Sequence, residues 1–205
     1  LEQNETFGIG KNDEIKNISF GLYAKEDIVS SSGTVIPADG LIEIITLDEN
    51  GKATVNTDLP FGSYYIKEIA TDEHYILSDT QYPFTFEYAG QDTETIEIKV
   101  NDGKPIENKL IYGSVSGKKV DENGEALNGA LIGIFKADET VFTREHALMT
   151  AVSQKDGSFS FAKVPYGNWI VREIKAPTGF VLDDTSYEVN ISENEQVVEV
   201  AITNE

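Results

Sequence analysis

With 36 acidic against 16 basic side chains in 205 residues, and a net charge of −20, the chain is a poor partner for nucleic acid or an anionic membrane surface. It has no cysteine, so whatever staples a small β-domain here is not a disulfide. No apolar run reaches the roughly 18 residues of a membrane span, and the opening LEQNETFG carries neither methionine nor signal peptide, so the chain is expected to be a segment of a longer protein.

Short alternating or apolar runs predict strands over 6–11, 18–23, 41–47, 53–55, 63–69, 84–88 and 95–100. Turn formers separate them: SSSG at 30–33, PADG at 37–40 and DENG at 48–51. A second series follows at 114–120, 130–135, 158–161, 168–174, 186–191 and 196–203, with DENG again at 121–124. Neither DENG has the alternate acidic spacing or the distal glutamate of a calcium loop, so both predict hairpin turns. Residues 139–149 predict a long connection with at most a short helix. His146 lies there and His74 in an earlier turn, each without a second histidine or cysteine nearby, so no metal site is expected.

The two series are copies of one plan. LPFGSYYIKEIATDEHYILSD at 59–79 aligns without a gap on VPYGNWIVREIKAPTGFVLDD at 164–184, at an offset of 105 (165 minus 60). The offset pairs Gly62 with Gly167, Glu68 with Glu173, Leu77 with Leu182 and Tyr82 with Tyr187. Self-similarity at one offset predicts two tandem domains, 1–110 and 111–205, and the frequent turns an immunoglobulin-like β-sandwich for each in an all-β chain.

Strand parity then singles out three polar side chains per copy. Glu173 shares a face with Trp169 and Val171, and Glu68 with Tyr64 and Ile66. Lys119 shares one with Val115 and Gly117, and Lys11 with Phe7 and Ile9. Asn204 follows Val198, Val200 and Ile202 on one face, and Asn108 follows Ile106. Each is a costly burial alone, but the cost falls when the three are buried together as partners. Lys118, Asn190 and Asn101 are disfavoured as substitutes because parity places them with Ser114 and Ser116, with Glu188, and after an inward Val100. At this level a hydrogen-bonded Lys–Glu–Asn cluster and a covalently joined one both remain open.

These residues resemble the Cna B-type, or SpaA-like, prealbumin-fold domains of Gram-positive surface adhesins and pilins. Lys119-Val120-Asp121 looks like the family's first-strand lysine motif. Glu173 with Ala176-Pro177-Thr178-Gly179-Phe180 resembles its glutamate box, and Thr203-Asn204 its closing asparagine. The resemblance implies spontaneous isopeptide bonds, Lys11 to Asn108 and Lys119 to Asn204, each releasing ammonia, with Glu68 and Glu173 in the catalytic role. An apolar pocket favours the neutral, nucleophilic lysine amine, and the glutamate can polarise the asparagine carbonyl and shuttle protons. The first copy departs from the pattern: Ala70-Thr71-Asp72-Glu73-His74-Tyr75 replaces the proline-glycine turn, and Glu14-Ile15-Lys16-Asn17 shortens the turn after the lysine.

The function that the resemblance implies is a stalk segment of a cell-wall-anchored adhesin, outside the cell. Its partners would be neighbouring domains of a longer protein that a sortase attaches to peptidoglycan. No cofactor and no enzymatic activity beyond self-directed, single-turnover bond formation are expected. Alternative readings are a module that binds a host extracellular-matrix protein or glycan, and a minor pilin subunit. The Tyr-Pro-Lys motif of polymerising pilin shafts is absent, since Phe84 follows Tyr82-Pro83. A hydrolase using Glu68 and Glu173 as a carboxylate pair is disfavoured, because equivalent positions of separate domains lie too far apart for that chemistry.

Overall fold

The computed structural model describes residues 1–92 and 96–205. The chain divides into two compact units, one of Leu1–Gln3 with Gly8–Lys109, the other of Asn4–Phe7 with Leu110–Glu205. Against the expected domains at 1–110 and 111–205, Asn4–Phe7 and Leu110 go with the second unit. There the Phe7 ring meets Trp169 edge to face at 4.7 Å.

The first unit is built on a four-stranded sheet ordered β4-β1-β5-β6, from β1 (Ser19–Ala24), β4 (Leu41–Thr46), β5 (Gly62–Ala70) and β6 (Gln81–Phe86). A small hairpin of β2 (Ile28–Val29) and β3 (Val35–Ile36) is closed by the SSSG turn, where Ser30 N donates to Thr34 O at 2.9 Å. The inner face carries Phe20, Leu22, Ile45 and Tyr64, which pack with Ile18, Ala24 and Ile28. Facing it are irregular segments, and a cavity of about 930 Å³ lies between them and the sheet.

Three expected strands of this unit do not form. In 6–11, Gly8 and Gly10 adopt φ of 73° and 95°, and Asn4 Oδ1 accepts the Phe7 N–H at 3.1 Å, so local turn bonds replace an extended run. In 53–55 the neighbouring chain is held by a side chain instead of a strand, since Glu43 Oε2 accepts the Thr57 N–H at 2.9 Å. Of 95–100, Thr95 lies outside the described residues; 96–99 are in no strand, and Val100–Gly103 turn into a 3₁₀ helix with Asn101 and Asp102 left-handed.

The second unit is a two-layer sandwich. One sheet is ordered β10-β7-β13, from β7 (Tyr112–Asp121), β10 (Ser158–Pro165) and β13 (Val197–Asn204). The other is ordered β12-β11-β8-β9, from β8 (Leu131–Lys136), β9 (Met149–Val152), β11 (Gly167–Lys175) and β12 (Tyr187–Ile191). Val115, Ile132, Ile134, Phe161, Val171 and Ile202 are almost wholly buried between the layers. The connection over 139–149 holds no helix; a turn with Ala147 N donating to Thr143 O at 3.1 Å leads straight into β9.

The repeat is visible bond by bond. Tyr64 donates its hydroxyl to Pro60 O at 2.5 Å, and at the offset of 105 Trp169 donates Nε1–H to Pro165 O at 2.9 Å. The two DENG segments are not equivalent at that offset, yet the same four residues make the same turn: Asp48 Oδ1 takes the N–H groups of Asn50 and Lys52, and Asp121 Oδ1 those of Asn123 and Glu125, each at 2.8 Å.

Candidate functional site: a buried lysine, glutamate and asparagine

In the second unit the three polar residues converge from both layers. Lys119 near the end of β7 and Asn204 at the end of β13 lie on adjacent parallel strands, where Lys119 stands opposite Ile202 and Asp121 opposite Asn204. Glu173 comes from β11 in the facing sheet, between Ile132 on β8 and the sandwich interior. All three alternate correctly with apolar neighbours, and their exposures are 0%, 1% and 1%.

Glu173 sits between the other two. Its Oε1 is 3.8 Å from Lys119 Nζ, and its Oε2 accepts from Asn204 Nδ2 at 2.7 Å. Lys119 Nζ also donates to Ile202 O at 3.1 Å, while Asn204 Nδ2 donates to Val181 O. Among the described residues, Glu173 Oε1 and Asn204 Oδ1 have no hydrogen-bond partner. Burial pushes the Lys119 amine below its ordinary value, against the opposite pull of Glu173 and Asp183. An amine depressed in this way is more often neutral, and a neutral amine beside a carboxamide can act as a nucleophile.

A short segment following the Ala176-Pro177-Thr178-Gly179-Phe180 turn completes the enclosure, and sequence parity could not reveal it because it acts largely through its main chain. Val181 supplies its carbonyl to Asn204, and Asp183 its N–H to Glu173 Oε2 at 2.9 Å. The signal was present only as the offset: Ser78, equivalent to Asp183, donates its N–H to Glu68 Oε2 at 2.8 Å.

The first unit assembles two of the three. Glu68, 3% exposed on β5, accepts from Asn108, 7% exposed, at Oε1, and Asn108 Nδ2 reaches Thr71 Oγ1 at 3.2 Å. Lys11, expected to point inward from a first strand, is exposed and lies in the turn region that replaces that strand. It stands at the wall of the cavity that Asn108 also lines, but it is not buried as Lys119 is. The buried charge on this stretch is instead Glu14, which accepts the N–H groups of Gly10 at 2.8 Å and Asn12 at 2.5 Å. The substitutes that parity disfavoured stay outside both sites: Lys118 and Asn190 are exposed, and Asn101 is half-buried in the second 3₁₀ turn.

Comparison with known proteins places the architecture. The family model described as SpaA, prealbumin-like fold domain, matches residues 6–104 and again 113–205. The solved structure of the Bacillus anthracis TIE protein superposes with a TM-score of 0.65 at 20% identity, covering 95% of this chain and 31% of that one. A C-terminal fragment of the pilus adhesin SpaC from Lactobacillus rhamnosus GG superposes at 0.54 with 15% identity, covering 96% of this chain and 92% of the fragment. No curated protein sequence matches the chain. Among the described residues, no helix is long and apolar enough to cross a membrane.

Proposed function

The chain belongs to the SpaA prealbumin-like fold family over 6–104 and 113–205, and from that premise we propose that it is a force-transmitting stalk segment of a Gram-positive surface adhesin, its second unit locked by a Lys119–Asn204 isopeptide bond. The parent protein would be attached to the cell wall outside the cell, with neighbouring domains on either side. The observation that carries this reading is the placement of one carboxyl group with an oxygen 3.8 Å from the lysine amine and the other 2.7 Å from the asparagine nitrogen.

The chemistry balances without a co-reactant. Nζ of neutral Lys119 attacks Cγ of Asn204; the Nζ–Cγ bond forms and the Cγ–Nδ2 bond breaks. One amine proton stays in the new amide, and the other is relayed through Glu173 to Nδ2, which leaves as ammonia. Glu173 ends in the state in which it began. The reaction uses the chain once, so the protein is not an enzyme for an external substrate.

The first unit enters this proposal differently. With Lys11 exposed, its Glu68–Asn108 pair is a buried hydrogen bond, and a Lys11–Asn108 cross-link is not part of the proposal. Intact mass spectrometry separates the cases: the wild-type chain is expected to weigh one ammonia less than its sequence, and Glu173→Ala is expected to restore that mass. A full sequence mass in the wild type would refute the isopeptide, whereas loss of two equivalents would show that Lys11 reaches Asn108.

An adhesive role has one specific observation behind it. On the first unit, Phe61, 54% exposed, meets the Phe86 ring at 5.0 Å and the Tyr88 ring, 61% exposed, at 5.9 Å. Exposed aromatic groups of this kind suit a host protein or a sugar face. Binding of the full chain to a matrix-protein or glycan panel that Phe61→Ala abolishes would favour this role over a pure spacer.

A further inference from the structure

Val181 to Asp183 forms no strand, yet it is tied to Asn204, to its neighbour Glu205 and to Glu173. Val181 N donates to Glu205 O at 2.9 Å, Val181 O accepts from Asn204 Nδ2, and Asp183 N donates to Glu173 Oε2 at 2.9 Å. Apolar burial does not hold this strap, since Val181 and Leu182 are 68% and 45% exposed. Its polar contacts do. The Asp183 side chain is the pin: Oδ2 accepts the Tyr187 hydroxyl at 2.7 Å and Oδ1 the Thr185 N–H at 3.0 Å.

The first unit offers an internal comparison. At the offset of 105 it keeps a tyrosine, Tyr82, and the main-chain contact from Ser78 to Glu68, but it has Ser78 where the second unit has Asp183. The carboxylate is therefore found in the unit that buries its lysine. Lys119 Nζ itself meets Glu173 Oε1 from β11 at 3.8 Å and the Val120 and Ile202 carbonyls of β7 and β13. Beside Asp183, burial and the Asp183 carboxylate push the Tyr187 hydroxyl up to about 12.

We propose that Asp183, pinned by Tyr187, is a positioning residue for the Lys119–Asn204 reaction: its main chain aligns Glu173, and its carboxylate anchors the strap that carries that contact. This rests on the isopeptide reading above. The same strap holds the departing nitrogen through the Val181 carbonyl, so loosening it misaligns leaving group and proton relay together.

The test times ammonia loss by intact mass as full chain, recovered unreacted in urea, refolds in buffers from about pH 5 to about pH 9. Asp183→Asn keeps an acceptor for Tyr187 and Thr185 but not the charge. It should react at about the wild-type rate, whereas Asp183→Ala, which keeps neither acceptor, should react about tenfold more slowly. Tyr187→Phe keeps the carboxylate but frees the strap, and should also slow the reaction about tenfold. A purely structural role would lower thermal stability in Asp183→Ala and Tyr187→Phe without slowing the folded chain's reaction. Asp183→Ala and Tyr187→Phe rates that match the wild type overturn the proposal, and a wild type that never loses ammonia overturns it together with the isopeptide reading.

Discussion

At the scale of single residues, the two units bury carboxylates for different reasons. Glu173 is enclosed with an amine and a carboxamide, whereas Glu14 is enclosed by main-chain N–H groups of its own loop. Burial alone would raise the Glu14 carboxyl, but the hydrogen bonds from Gly10 and Asn12 outweigh it and hold it below its ordinary 4.5. A folded-state value below the unfolded one stabilises the fold fully above about 4.5, and that contribution is lost as pH falls through the folded value. Glu14→Ala is accordingly expected to destabilise the first unit by about 1–3 kcal/mol near neutral pH, and by less in acid. Denaturant melts at pH 7 and in the acid range would check it; a deficit that does not shrink in acid would assign the loss to packing rather than charge.

At the scale of elements, β7 decides where the lysine goes. Its buried positions alternate through Gly113, Val115, Gly117 and Lys119. Gly117 is there for space: a Cβ at that position would stand 2.0 Å from the Phe159 ring on the neighbouring β10. Such overlap forces strand or ring to shift, at about 1–3 kcal/mol, and Lys119 lies only two residues further along the same strand. Gly117→Ala is therefore expected to destabilise the second unit and to leave part of the purified protein at its full sequence mass. Complete ammonia loss with unchanged melting would show that the ring moves aside freely.

Across the whole chain, the proposed Lys119–Asn204 cross-link would matter mechanically. It would close a loop of 85 residues (204 minus 119) between the first and last strands of the second unit, stabilising that unit by roughly 4–5 kcal/mol if the entropy argument for disulfides applies. Force applied at the ends would then run from Leu110 along β7 and out through Asn204, leaving everything between unstretched. Single-molecule pulling is expected to show one unfolding event, of a length that fits the first unit, and a second event only in Glu173→Ala. Two events in the wild type would mean that the bond is absent or does not shield the second unit.

Sequence alone determined the repeat, the all-β class and the inward faces of Lys119, Glu173, Glu68 and Asn204, because a period of two fixes which side of a strand a residue occupies once the strand exists; Asn108 is buried as expected, but on a segment that forms no strand. Sequence misplaced Lys11 for the same reason: parity has no meaning where Gly8 and Gly10 turn the chain and no strand forms. The strap from Val181 to Asp183, the meeting of Glu173 with both of its partners across two sheets, and the divergence of the two units were decided by tertiary structure. They depend on main-chain groups and through-space distances between residues tens of positions apart, which no local pattern encodes.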